Sequence, residues 1–170
     1  GYDYNKKYIE KCFVMKNNSF QGEIDMFDEF YSKVEELEKE FECQAKYFHW
    51  YDAEPIFYNK FLARTKDLNF IDLEKIFRTE PICIKGCYNF KLKSVATAMF
   101  NHNMIKTCWD NNSECSDGRL AMILSNLLYK KYNNNFTALV NDNTMKDIIK
   151  YNLIDVKVLY EILFYIRKHH

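Results

Sequence analysis

The stretch QAKYFHW at residues 44–50, followed by YDAEP at residues 51–55, decides the class of fold. A short run rich in aromatic residues is typical of a β-strand, and Pro55 suits the first turn of a helix. We therefore predict a strand over 44–50 and a helix that runs to about residue 66. Asp52 lies between them at the carboxyl end of the strand, where α/β folds place ligands. Helix capping is the other interpretation of this acid.

Two elements are predicted before this unit. Residues 8–15 alternate loosely and are rich in β-forming side chains, so we predict a strand there, with a second short strand possible at 19–22. From residue 25 to residue 41 apolar side chains recur at intervals of three and four, with acids between them. That spacing predicts an amphipathic helix with a solvated acidic face.

The chain after residue 66 is predicted to be mostly helical. We expect helices over 70–77, with Asp72 near the start, and over 92–100. Ser116 is the expected cap of a helix over 117–132, and Thr144 with Asp147 resembles a capping pair for a last helix from 145 to about 167. Turn or loop is expected between these helices, at 80–88, 101–115 and 133–143. A strand–helix unit followed by helices predicts one α/β or α+β domain over 1–170.

Composition excludes several classes of protein. The chain has 170 residues, of which 48% are hydrophobic and 28% charged, which fits a folded domain and not a disordered one. No apolar run reaches the length of a membrane span, so we expect no membrane partner. Lys plus Arg and Asp plus Glu number 24 each, so no global basic field attracts nucleic acid. Any site for a polyanion must be local.

The six cysteines are interpreted as reduced thiols of an intracellular protein, in the cytoplasm or nucleus. A zinc site would draw on Cys83, Cys87, Cys108, Cys115 and His102. Neither cysteine pair has the two-residue spacing that zinc knuckles usually show, so we do not expect zinc.

The predicted last helix carries an acid on its apolar face. At 100° per residue, the stripe that faces the core contains Ile148, Leu159, Ile162 and Ile166, and Asp155 lies in its middle. A buried carboxylate costs several kcal/mol unless it is paired or binds a metal. Tyr151, one turn earlier, lies at the edge of the stripe and could reach whatever Asp155 holds. Pairing of Asp155 with a lysine or with backbone donors is the alternative.

Three stretches together resemble a known family. Asp52 follows the aromatic strand, LKSVA occupies residues 92–96, and YNLID at 151–155 places Tyr151 four residues before Asp155. This order resembles the ribonuclease H-like 3′–5′ exonucleases of the DEDD type, in particular their tyrosine subclass. A nearer likeness, over roughly residues 8–167, is to the predicted exonuclease domain associated with RecB-family nucleases and helicases. The resemblance implies an α/β ribonuclease H-like fold, with a central mixed sheet flanked by helices.

The resemblance also implies a site and an activity. Asp52 and Asp155 would be ligands of Mg²⁺ or Mn²⁺, two ions where the acidic set is complete, and Tyr151 would orient the attacking water. Lys91 and Lys93 would contact phosphates, and Asp72 is a lesser candidate at the rim. The implied activity is 3′–5′ exonuclease-like hydrolysis of phosphodiesters at a single-stranded end, with DNA repair as the associated process. Separately, the abundance of Asn and Lys indicates a source with an AT-rich genome, a large DNA virus or a parasite.

One motif of that family is not found in these residues. The family's opening strand carries Asp-x-Glu, and the acids near the start of this chain lack that spacing or setting. We expect the motif, with a first strand, to precede Gly1 within a larger nuclease, helicase or polymerase chain. Otherwise the domain is degenerate and binds single strands without cutting them, through Trp50, Tyr51, Tyr88 and Lys93. A structural or interaction domain that binds a protein partner is a third interpretation.

Overall fold

The fold is mixed α/β and mostly helical. The computed structural model of the chain describes residues 8–62, 64–109, 117–133 and 135–169. Within these ranges the elements, in chain order, are α1 Phe20–Glu40, β1 Tyr47–His49, α2 Ala53–Lys60, β2 Phe70–Asp72, α3 Leu73–Thr79, α4 Leu92–Asn101, α5 Gly118–Tyr132, α6 Phe136–Asn141 and α7 Asn143–His169. The coarse prediction of a mixed α/β fold is therefore confirmed.

The two described strands form a small parallel sheet. Strand β1 pairs with β2, and His49 lies opposite Asp72 at the end of the register. Two parallel strands need a crossover connection, and α2 lies in the connection between them. Because both strands run the same way, their carboxyl ends meet at one edge. Among the described residues the sheet has only these two strands, so it is smaller than the central mixed sheet that we expected.

The predicted strand at 8–15 is wrong for the described residues. Tyr8 forms an isolated β-bridge, and the backbone that follows it in this stretch is irregular. Its side chains pack instead, with the Phe13 ring edge-on to Phe30 at 5.5 Å, and the Met15 carbonyl accepts from the Tyr129 hydroxyl at 2.8 Å. Residues with β-propensity form a strand only where a neighbouring strand supplies the ladder.

Helix α1 begins five residues before its predicted start, and the short strand considered at 19–22 is wrong. Ser19 is the N-cap, and its hydroxyl accepts from the Gly22 amide at 3.1 Å. Gly22 lies against the Asn17 carbonyl, which leaves no room for a Cβ. A serine cap and a glycine in the first turn therefore start the helix where the apolar spacing is still weak.

Local polar groups also move the boundaries of other elements. The predicted strand at 44–50 is shorter, and α2 ends at Lys60 because Phe61 is extended. The first three residues of the helix predicted at 70–77 form β2, after which Asp72 caps α3. The loop predicted at 133–143 contains α6, which Asn135 caps. Asp117 caps α5, while the expected cap Ser116 lies outside the described residues.

Three hydrophobic clusters hold the elements together. The largest joins Trp50, α3, α4 and the second half of α7, where Val158 and Ile162 are fully buried. A second cluster packs α5 and α6 on the first half of α7, around Leu139 and Ile148. A third packs α1 on α2 through the side chains of Phe27, Tyr31 and Tyr58. Helix α7 therefore contributes to two clusters, and Asp155 lies between the part that belongs to the second cluster and the part that belongs to the largest.

The described helices were also compared with the requirements of a membrane span. In the ranges given above, no helix combines the length and the apolar composition that crossing a bilayer requires.

Candidate acidic site

The carboxyl edge of the sheet is built by its last residue pair. Asp72 Oδ1 accepts from the Glu74 amide at 2.9 Å, which caps α3, and from the Tyr51 amide at 3.0 Å. On the paired strand, buried His49 is hydrogen-bonded through Nδ1 to the Tyr51 carbonyl. The chain then enters α2, so Glu54 stands in the first turn of a helix that starts from this edge.

Asp155 approaches from α7. Its Oδ1 accepts from Trp109 Nε1 at 2.8 Å. The Nζ atom of Lys93 lies 5.4 Å from the Trp109 ring centroid and 5.0 Å from that of Tyr151. These are cation–π distances, so the lysine is held between two aromatic faces beside the acid. The carboxylate is partly buried and is surrounded by a donor, a cation and a phenol.

A carboxylate on α7 positions the loop that carries Trp109. Glu161 accepts from the Lys106 amide at 2.7 Å, the Thr107 amide at 2.9 Å and the Thr107 hydroxyl at 2.6 Å. Charge-assisted bonds of this length are strong and fix the two residues of the loop. Two residues further on, Trp109 reaches Asp155. The sequence pattern did not single out Glu161, because a glutamate on a helix is most often solvated.

The electrostatics of the site couple two acids. Burial raises the pKa of Asp155 to about 6; the Trp109 hydrogen bond, the Lys93 charge and a Tyr151 hydrogen bond oppose the rise, and the charge of Glu54 adds to it. Desolvation also raises the pKa of Glu54, against hydrogen bonds from the backbone and the charge of His49, and the charge of Asp72 adds to this rise. Glu54 as a residue is exposed to solvent, unlike Asp155, which is partly buried. The charge of Glu54 on α2 thus disfavours the charged form of Asp155 on α7.

Of the predicted site residues, the structure brings Asp155, Tyr151 and Lys93 together. The apolar stripe around Asp155 is also found, since Ile148 and Ile162 are buried. The charges of Lys93 and Glu54 both act on Asp155, in opposite directions.

Asp52 takes a different position from Glu54. It is exposed, and it occupies the N-cap of α2 without a side-chain capping bond. The acid whose charge acts on Asp155 is Glu54, two residues later. Sequence reasoning missed Glu54 because acids are common in the first turn of any helix, where they favour the dipole.

Trp50 is a core residue, which corrects its expected role in nucleic-acid binding. Its side chain is 6% exposed, its ring lies 5.2 Å from that of Phe77, and Nε1 donates to the Phe90 carbonyl at 2.8 Å. A ring enclosed in this way has no face for a base. Lys91 is exposed at the N-cap of α4.

An apolar groove of about 740 Å³ opens beside Glu54. Aromatic side chains of α1 and α2 form its walls, among them Phe30 and Phe57, while Arg119 and Asn152 supply polar atoms. Asn152 follows Tyr151 on α7, so the groove is lined by Glu54 and by a neighbour of Tyr151. A flat apolar group attached to a charged group would suit this space.

The cysteines do not form a metal site in the described residues. Cys87 Sγ donates to the Asn89 carbonyl at 3.0 Å, and His102 Nε2 is bonded to the Lys85 carbonyl at 2.9 Å. Within the part of the chain that the structure describes, no group of three or more His, Cys, Asp or Glu side chains could hold a metal ion. Cys115, named in the zinc alternative, lies outside these residues.

Comparison with protein-family models, with curated proteins and with solved structures gives no match for this chain. The function therefore has to be argued from the geometry of the acidic site.

Proposed function

We propose that this domain hydrolyses phosphodiesters of nucleic acid in a metal-dependent, 3′–5′ exonuclease-like reaction, on a ribonuclease H-like plan. The observation that carries the proposal is the partly buried Asp155 carboxylate, held by Trp109 beside Tyr151 and Lys93, with the charge of Glu54 acting on it. Compared with the expectation from sequence, Glu54 replaces Asp52 as the main partner acid. Asp52 remains a secondary candidate because it lies only two residues away.

The chemistry of the two acids fits a divalent cation. Desolvation and a neighbouring negative charge, Glu54 for Asp155 and Asp72 for Glu54, disfavour their charged forms, and a bound cation would oppose both effects. Mg²⁺ and Mn²⁺ prefer carboxylate oxygen ligands, so Asp155 and Glu54 would hold one ion. When bound, such an ion supplies neutralisation of phosphate charge and a lower pKa for a water molecule.

The residues around the acids have separate tasks. Trp109 engages Oδ1 of Asp155, which fixes the carboxylate and keeps Oδ2 outside that hydrogen bond. The Tyr151 hydroxyl, hydrogen-bonded to Asp155, is placed to orient a water and to hold its proton. Lys93 carries the positive charge that a phosphate oxygen would meet, and burial among aromatic rings strengthens this charge interaction.

Two further features support nucleic acid as the substrate class. The site lies beyond the carboxyl ends of two parallel strands, which is the usual place for ligands in α/β folds. The groove beside Glu54 has room for a nucleoside at the end of a strand, with Arg119 as a cation for its phosphate. The sugar, deoxyribose or ribose, is an outcome of the experiment below.

The experiment is a degradation assay with the full natural protein that contains residues 1–170. Single-stranded DNA and RNA labelled at the 5′ end are incubated with Mn²⁺ or Mg²⁺, and the products are resolved by length. We expect a ladder that shortens from the 3′ end, that EDTA abolishes, and that Asp155→Asn or Glu54→Gln reduces at least a hundredfold. Degradation of neither nucleic acid with either metal would refute the proposal.

Asp52→Asn is the matched control for Glu54→Gln, because both remove one charge near the start of α2. We expect Asp52→Asn to keep most of the activity. A full loss in Asp52→Asn with normal activity in Glu54→Gln would assign the ligand role to Asp52 instead.

A second candidate function is binding of single strands without hydrolysis. It is favoured by the finding that the described residues contain no cluster of three metal-binding side chains. In that case a labelled oligonucleotide binds with salt-dependent affinity, and no shorter product forms with either metal.

A further inference from the structure

We propose that Tyr51 is a fixed stacking platform for a base of single-stranded nucleic acid, with Arg78 beside it as a phosphate contact. The inference rests on the proposed function for its class of ligand. It requires binding of a single strand but not hydrolysis.

The backbone of Tyr51 has an unusual conformation. Its φ is 63°, in the left-handed region that favours glycine and that bulky side chains rarely adopt. Such conformations persist only where the surroundings hold them, and they cluster at functional sites. A tyrosine at this position therefore needs a reason beyond making the turn.

Two side chains hold the turn from both sides. The Tyr51 amide donates to Asp72 Oδ1 at 3.0 Å, and the Tyr51 carbonyl is bonded to His49 Nδ1. His49 and Asp72 are the register pair that ends the parallel sheet. The residues that end both strands thus fix the peptide groups on either side of Tyr51.

The Tyr51 ring is directed away from the core. The residue is 56% exposed, whereas the preceding Trp50 is 6% exposed and anchored to the Phe90 carbonyl. The ring–ring contacts found among the described residues do not include Tyr51. An exposed aromatic ring on a fixed backbone loses little conformational freedom when a base stacks on it. A stacking platform for single strands has this property.

Arg78 supplies a fixed positive charge near the ring. Its guanidinium lies 5.1 Å from the Phe90 ring centroid, and Nε and Nη2 donate to Glu74 Oε1 at 2.9 and 2.6 Å. The Tyr51 amide is bonded to Asp72, and Asp72 caps α3, the helix that carries Arg78, so the two residues belong to the same corner of the fold. Nη1 is not used in the pairing with Glu74, and guanidinium donors match phosphate oxygens. An aromatic ring next to such a cation suits a base and its phosphate.

The position also connects to the acidic site. Tyr51 precedes Glu54 by three residues, at the same edge of the sheet. A single strand of nucleic acid that enters the site would therefore pass this ring. The platform would hold a nucleotide near the one that is cleaved.

The test measures binding of a fluorescent single-stranded oligothymidylate by anisotropy in EDTA, so that no cleavage interferes. Glycine and asparagine suit a positive φ. We expect Tyr51→Gly and Tyr51→Asn to raise Kd about tenfold, within the range found when one stacking side chain is removed. Thermal unfolding should stay at or above the wild-type temperature, because these residues relieve the backbone. Tyr51→Phe should keep Kd within about twofold, since stacking needs only the ring. Arg78→Met should weaken binding and reduce the salt slope by about one.

Phe20→Ala is the matched control, since Phe20 is 57% exposed, about as much as Tyr51, and lies at the start of α1. We expect its Kd to be unchanged. The proposal is overturned if Tyr51→Gly and Tyr51→Asn bind within twofold of the wild type, if both lower the unfolding temperature, or if Phe20→Ala loses as much affinity. It is also overturned if the wild type does not bind.

The platform and the nuclease can fail separately. Binding lost in Tyr51→Gly, with no hydrolysis by the wild type, would support the platform and reject the nuclease. If the wild type hydrolyses the strand and Tyr51→Gly binds it as tightly as the wild type does, the nuclease is supported and the platform is rejected.

Discussion

Replacement of Asp155 by asparagine should stabilise the protein at neutral pH. Asparagine has nearly the same shape and keeps an oxygen that can accept the 2.8 Å hydrogen bond from Trp109. It removes only the charge that burial and Glu54 disfavour. In the folded protein the pKa of Asp155 is raised from its ordinary 3.8 to about 6. Each pH unit corresponds to about 1.4 kcal/mol, so the charged aspartate costs at most about 3 kcal/mol of folding free energy.

The sign of the pH dependence follows from the raised pKa. Well below 3.8 the carboxyl group is protonated in both the folded and the unfolded state, so it adds no penalty. As the pH rises from 3.8 to about 6, the unfolded chain loses its proton first, and stability falls. Above about pH 6 the penalty is complete. Asparagine does not titrate, so the gain from Asp155→Asn should exist at pH 7.5 and vanish near pH 3.5.

The assay is urea denaturation followed by circular dichroism, without divalent metal, at about pH 7.5 and about pH 3.5. We expect Asp155→Asn to gain about 1–3 kcal/mol in free energy of unfolding at the higher pH. Asp52→Asn is the control, because an exposed acid should change stability by less than about 0.5 kcal/mol. A loss of stability in Asp155→Asn at pH 7.5, or an equal gain at both pH values, would refute the reasoning about burial and repulsion.

Three further substitutions test the surroundings of the site and the core. Trp109→Phe removes the donor to Asp155 and should raise the pKa of that carboxyl further, with a loss of about 1–2 kcal/mol at neutral pH in urea denaturation; an unchanged Asp155 pKa by NMR titration would contradict it. Glu161→Ala removes the acceptor of three hydrogen bonds in the loop before Trp109 and should cost about 1–3 kcal/mol. Tryptophan fluorescence should shift in this variant, and an unshifted spectrum would argue against loop positioning. Trp50→Ala should cost about 3–5 kcal/mol, as expected for a buried aromatic ring, and a smaller loss would mean that the core closes over the gap.

Local signals were sufficient for the elements with strong periodicity or clear caps. The helix predicted at 92–100 and the one predicted at 117–132 both appear with bounds that differ by a residue. The failures occurred where partners distant in sequence decide the outcome. Residues 8–15 have β-forming side chains, but beyond an isolated bridge at Tyr8 the described structure shows no strand there. Residues 70–72 look helical locally, and they form a strand because β1 lies beside them.

The candidate site divides in the same way. Asp155 stood out in the sequence because a charge on an apolar stripe is costly wherever the helix packs. Glu54 did not stand out, because the effect of its charge on Asp155 depends on how α2 lies relative to α7 in the folded chain. Trp50 was misjudged for a related reason, since an aromatic residue next to a loop can turn inward or outward.

The amino-acid sequence by itself determined the mixed fold class, the long last helix and the buried acid on it, because periodicity and the cost of burying charge act along the chain. Only the tertiary structure decided which acid faces Asp155, how the Trp109 loop is fixed by Glu161, and which aromatic residue is exposed at the sheet edge. Those choices depend on distances between elements far apart in sequence, and Coulomb energy and hydrogen bonding are decided by such distances.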